Sequence, residues 1–117
     1  MEDFKTLKKR IKFRKLPDGK MRSLDFCDCT DKYWFYLKPI LAKKSCETIC
    51  LLIKLEKDNF NYFDIGLTTD EGTGFTELSE IKDEEIKKAV MERISYLVDR
   101  GLIRIKSEKA NKSSDLK

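Results

Sequence analysis

Ile49, Leu51, Ile53 and Leu55 occupy alternate positions, and after a polar break Asn61, Phe63, Ile65 and Leu67 do so again. Strict period-2 spacing over two adjacent runs predicts two half-buried strands, and Lys57-Asp58-Asn59 supplies the turn between them. The stretch from Cys46 to Thr69 is therefore expected to be a long antiparallel hairpin with one apolar face. From Asp83 onward the period changes to a helical one. Ile86, Val90, Ile94, Leu97 and Val98 form a single stripe, which predicts a helix over about 84–100. Asp83 suits its N-cap, Glu84 and Glu85 favour the positive end of the helix dipole, and Gly101 suits the left-handed position after its last turn. The helix is the natural cover for the hairpin's apolar face.

The rest of the chain reads less regularly. Met1 to Lys8 is a charged lead-in, a short helix or a frayed end, with Phe4 and Leu7 as its apolar anchors. Arg10 to Leu16 alternates, with Ile11 and Phe13 on one side. Pro17-Asp18-Gly19-Lys20 reads as a turn, and Met21 to Cys29 as a returning strand with Leu24 and Phe26 on one face. Residues 9–29 are thus expected to form a first hairpin. Tyr33 to Leu37 is a dense aromatic strand, and Pro39 argues against its running beyond Lys38. Phe75 to Ile81 reads as a short strand or an approach to the helix, and Leu102 to Lys106 as a last short strand. The predicted fold class is α+β: an antiparallel sheet of five to six strands, covered on one face by the C-terminal helix. A single domain is expected over 1–106, with 107–117 a disordered basic tail.

Composition narrows the function classes. In 117 residues, 39% are charged, well above the usual value of about 25%. No apolar run approaches the ~18 residues of a membrane span and no leader pattern opens the chain, so a cytoplasmic protein without membrane contact is expected. The net charge of +4 conceals a polarity: residues 1–22 carry nine Lys/Arg and sum to +6, whereas residues 47–92 carry twelve Asp/Glu and sum to −7. There is no histidine, the commonest general base, and Gly72-Thr73-Gly74 lacks the pattern of a phosphate-binding loop. An enzyme is not expected, and no cofactor is implied.

Two kinds of partner remain. On a strand, Lys8, Arg10, Lys12 and Arg14 would share one face at a pitch that follows a phosphate backbone, and Trp34 and Tyr36 would share another on which bases could stack. This favours a small nucleic-acid-binding protein that uses a basic N-terminal hairpin. The opposing reading makes the cations a guard on an edge strand and the aromatics part of the core. The alternative function is a protein-interaction module, an inhibitor or regulator that docks through its acidic 64–85 segment. Oligomeric state is left open.

Cys27-x-Cys29 and Cys46-x3-Cys50 each keep a pair on one strand face, so four thiolates would reach a zinc ion if strands 21–29 and 46–55 were adjacent. Cys-x-Cys is not the usual knuckle spacing, however, and reduced, core-packed thiols are the favoured reading. Leu97-Val98-Asp99-Arg100-Gly101-Leu102-Ile103-Arg104-Ile105 resembles the segment of winged-helix DNA-binding proteins in which the recognition helix passes into the first wing strand. The resemblance spans about ten residues. It implies two further helices ahead of the segment, where the periodicity places strands, and no DNA-contacting role is carried over from it.

Overall fold

A computed structural model describes residues 4–28, 30–42, 48–69 and 74–106. The elements run α1 (Phe4–Arg10), β1 (Ile11–Phe13), α2 (Asp18–Ser23), β2 (Tyr33–Ala42), β3 (Thr48–Glu56), β4 (Phe63–Thr69), β5 (Thr76–Glu77), a 3-10 turn (Leu78–Glu80), α3 (Glu84–Asp99) and β6 (Ile103–Ile105). The fold is α+β, as the periodicity predicts. Its strands form two antiparallel sheets, β2-β3-β4-β5 and β1-β6. The expected tail at 107–117 lies outside the described residues.

The central hairpin is present. β3 pairs with β4 in a register that sets Leu51 against Leu67, Ile53 against Ile65 and Leu55 against Phe63. Directly opposed residues share a face, so these six line the inner side; five are buried and Phe63 is half-buried. The turn is closed locally: the Asn59 side-chain oxygen accepts from the Asn61 backbone N–H at 2.9 Å, and Glu56 donates to the Tyr62 carbonyl at 3.0 Å. This turn takes up Asn61, so the second strand begins at Phe63.

α3 crosses the inner face and approaches β2 and β6. Ile86, Val90, Ile94 and Leu97 are buried in one cluster with Leu51, Ile53, Leu55 and Ile65. At its start the Asp83 carboxylate accepts from the Glu85 and Ile86 backbone N–H groups at 2.8 and 3.3 Å, satisfying donors that have no partner within the helix. At its end Gly101 takes φ 88°, where an L side chain would be strained. α1 packs against the 3-10 turn and β6, with Phe4 and Leu7 as its buried residues.

Three expectations are corrected. Residues 9–29 are not a hairpin. Residues up to Arg10 are helical, Pro17 precedes a second helix, and Met21 donates to the Pro17 carbonyl at 3.0 Å. A proline at the threshold of a helix has the same φ as in a β-turn, and Met21 and Leu24, three residues apart, are both buried beyond it. β1 pairs instead with β6, so the helix-to-strand segment at 97–105 leads back to the chain's first strand. Lastly, β2 continues through Pro39 to Ala42. It is an outer strand of its sheet, touched on its far side by the isolated Cys27–Phe35 bridge, and a register shift lies between Pro39 and Leu41. An outer strand with a bulge accommodates the missing N–H of proline.

Candidate nucleic-acid interface

The β1–β6 ribbon is built from two three-residue strands with apolar ends and a cationic centre. Ile11 faces Ile105, Lys12 faces Arg104, and Phe13 faces Ile103. The ladder extends past both ends, with Lys106 donating to the Arg10 carbonyl at 2.9 Å and Arg14 to the Leu102 carbonyl at 2.7 Å. Alternation turns Ile11, Phe13 and Ile103 into the core and leaves Lys12, Arg14 and Arg104 exposed. These three cations are among the residues that line an open groove of about 810 Å³, together with Val98, Gly101 and Ile105.

Among the described residues no carboxylate lines this groove, and none stands within ion-pair distance of Lys12, Arg14 or Arg104. Lys12 and Arg104 are cross-strand neighbours of like charge. Such a pair destabilises a ladder by roughly 0.2–1 kcal/mol relative to a neutral pair. An anion placed between them would reverse the sign of that contribution.

The predicted row of four cations is divided between two elements. Lys12 and Arg14 point outward from β1 and its extension. Lys8 and Arg10 lie in the last turn of α1, where cations complement the helix dipole. Lys8 reaches Asp64 on β4 at 3.6 Å and sits 5.9 Å from the centre of the Phe63 ring. The Arg10 guanidinium donates to Thr6 Oγ1 at 3.2 Å and to the Lys106 carbonyl at 3.1 Å, which ties α1 to the end of β6. Arg104 is the cation that sequence reasoning missed. Its position between Ile103 and Ile105 signals an outward-facing residue, but only the pairing with β1 brings it to Lys12.

Trp34 and Tyr36 are not available for stacking. They are 2% and 1% exposed, on the inner face opposite Leu55 and Ile53, and the Phe26 ring lies 4.9 Å from that of Tyr36. Burial pushes the Tyr36 hydroxyl above the ordinary phenol pKa, an effect that the nearby Arg93 charge partly opposes. The sign of the consequence follows from linkage. The folded state holds the proton more tightly, so stability is intact below about pH 10 and falls as pH rises past the point where the unfolded chain ionises. Denaturant unfolding at pH 8 and pH 10.5 should therefore show a larger alkaline loss in the wild type than in Tyr36→Phe. Equal losses would place the ionisation elsewhere.

The outward aromatics of β2 are instead Tyr33 and Phe35, whose rings lie 6.1 Å apart, centre to centre. Their surroundings have the wrong sign for phosphate. Cross-strand neighbours on that face include Glu56 and Asp64, and the Lys54 amine is turned over the Tyr33 ring at 4.3 Å.

A four-thiolate zinc site is not assembled. β2 lies between Cys27 and Cys50, which pair with Phe35 and Pro39 on its opposite edges, a separation of roughly 16 Å from strand spacing and rise. Cys50 is a buried thiol, Cys27 is disulfide-bonded against the expectation of reduced cysteines, and Cys29 and Cys46 lie outside the described residues. Much of the acidic segment serves local structure. Glu77 and Glu80 form a capping box on the 3-10 turn, Asp83 caps α3, Asp64 meets Lys8 and Glu84 meets Lys87 at 3.4 Å; residues 70–73 lie outside the described residues. Among the described residues no helix is long and apolar enough to cross a membrane. No family model, curated protein or solved structure matches this chain.

Proposed function

We propose that this chain is a small non-enzymatic protein that binds nucleic acid through the outward face of the β1–β6 ribbon. Lys12, Arg14 and Arg104 contact phosphate oxygens, and Arg10 keeps the ribbon anchored to α1. The observation that carries this reading is the Lys12–Arg104 cross-strand pair, which lines a groove that has no carboxylate among its described residues. Ribbons of this kind are narrow enough to enter the ~12 Å major groove of B-form DNA or to lie along a backbone. The contacts are to backbone phosphates, so affinity is sequence-independent and salt-sensitive.

The test is binding of a labelled duplex of about 25 base pairs across a salt series, the length being that of a typical protein-bent site. The Lys12→Glu/Arg14→Glu/Arg104→Glu variant is expected to bind at least about a hundredfold more weakly, with the slope of log K against log salt reduced by about one unit per residue. A second triple variant, Lys20→Glu/Lys32→Glu/Lys88→Glu, makes the same change in net charge at exposed positions off the ribbon. It should bind far better than the ribbon variant. Equal losses from the two triples would reduce the effect to net charge, and absence of binding at low salt would end the proposal.

A further inference from the structure

The four-stranded sheet has two faces, and among the described residues the helices cover only one. On the other, register sets Leu37, Leu52, Gly66 and Glu77 in one row across β2 to β5, with Phe35, Lys54 and Asp64 in the next and Tyr33 and Glu56 beyond. Leu37 is 47% exposed and Phe75 44% exposed. Gly66 makes room for Phe75 to lie on this face, since a Cβ at position 66 would run into the Phe75 ring and the Thr76 carbonyl oxygen. Phe35, Leu37, Leu52 and Phe75 thus make an apolar band across three strands, an arrangement uncommon on a surface with no partner.

We propose that this outer face docks a basic amphipathic helix of a partner protein. The dimensions suit a helix, because three strands span about 10 Å and a helix with its side chains is about 10–12 Å wide. Charge decides between occupants. Among the described residues Glu56, Asp64 and Glu77 border the band, and the two amines beside them, Lys54 and Lys8, are engaged with Tyr33 and Asp64. Asp64 meets Lys8 at 3.6 Å but keeps 59% of its side chain exposed. A nucleic acid would bring phosphates to carboxylates. A second copy would bring two faces of the same sign together. A helix with leucine anchors at i, i+3, i+4 and i+7 and lysines along its flanks satisfies both the band and its border.

The proposal is independent of nucleic-acid binding at the ribbon and is tested with two synthetic probes of about 18 residues, or five helical turns. One is an amphipathic helix of Leu and Lys, and the other carries Glu in place of every Lys. In amide-resolved NMR titrations, the Leu/Lys peptide should shift Phe35, Leu37, Leu52, Lys54 and Phe75, and the Leu/Glu peptide should not. Leu37→Asp and Glu56→Lys, both at positions reached by solvent, should each weaken binding by about tenfold, as expected for loss of an anchor or of a charge pair, while leaving thermal unfolding near that of the wild type. Three results would overturn the proposal: shifts that fall on other surfaces, equal responses to both peptides, or a concentration-dependent dimer that Leu37→Asp converts to monomer.

Discussion

Ile94→Asp is expected to abolish the cooperative thermal transition of this protein. Ile94 is 0% exposed in the middle of α3, one turn from the equally buried Val90, and belongs to the cluster that joins the helix to both sheets. Removing the aliphatic side chain alone costs about 2–5 kcal/mol. The carboxylate adds several kcal/mol more, by desolvation as the anion or by the work of protonating it at neutral pH. Total stability of a domain is about 5–15 kcal/mol, so the two contributions together approach or exceed it. Helix propensity is a minor term, since Asp costs only about half a kcal/mol in an interior position. Lys88→Asp on the exposed side of α3 isolates that term and should move stability by about 0.5 kcal/mol. Circular dichroism melts of the two variants decide the matter. A wild-type melt for Ile94→Asp would mean that α3 does not roof the sheet, and the assignment of inner and outer faces would fail with it.

What could be read from the chain follows the distance between the interacting parts. The β3–β4 hairpin was legible because both strands carry period-2 spacing and the turn that joins them is local. α3 was legible because its stripe, its Asp83 cap and its Gly101 stop agree. The partner of β1 was not. Ile11 and Phe13 present the same alternation to Leu24 and Phe26 nearby as to Ile103 and Ile105 at the other end of the chain, and local pattern favours the near pair. Pro17-Asp18-Gly19-Lys20 compounded the error, since the φ of Pro17, −60°, serves a turn and a helix start equally.

The same limit governs the candidate site. Cations at 12 and 14 were evident, and their outward orientation follows from alternation with Ile11 and Phe13. Their companion Arg104 depends on a long-range pairing that no window of sequence contains. In the aromatic run, alternation separates Trp34 and Tyr36 from Tyr33 and Phe35 but does not say which pair meets the core. A shift of one residue exchanges the two sets. The choice is made by the register against Leu55 and Ile53, which draws Trp34 and Tyr36 into the core and turns Tyr33 and Phe35 outward among carboxylates.

Trp34→Ala separates the roles of fold and ligand contact most sharply. The side chain is 2% exposed, opposite Leu55, and the Lys57 amine and the Arg22 guanidinium lie over its ring, 4.9 and 5.8 Å from the ring centre. Truncating a buried tryptophan costs about 3–5 kcal/mol. For a chain of this size that corresponds to a fall in Tm of about 10–20 °C, and the variant should remain folded at low temperature only if the wild type has stability to spare. Measured under folded conditions, its affinity for the duplex should stay within about twofold of the wild type, because the ribbon residues are untouched. A stacking role predicts the reverse, an affinity loss of about 1–3 kcal/mol per base with a smaller effect on stability. The protein's one tryptophan supplies a second readout. Its fluorescence should report a buried indole in the free protein and stay unchanged as nucleic acid is added, whereas quenching on saturation would return Trp34 to the binding surface and displace the ribbon from its central place.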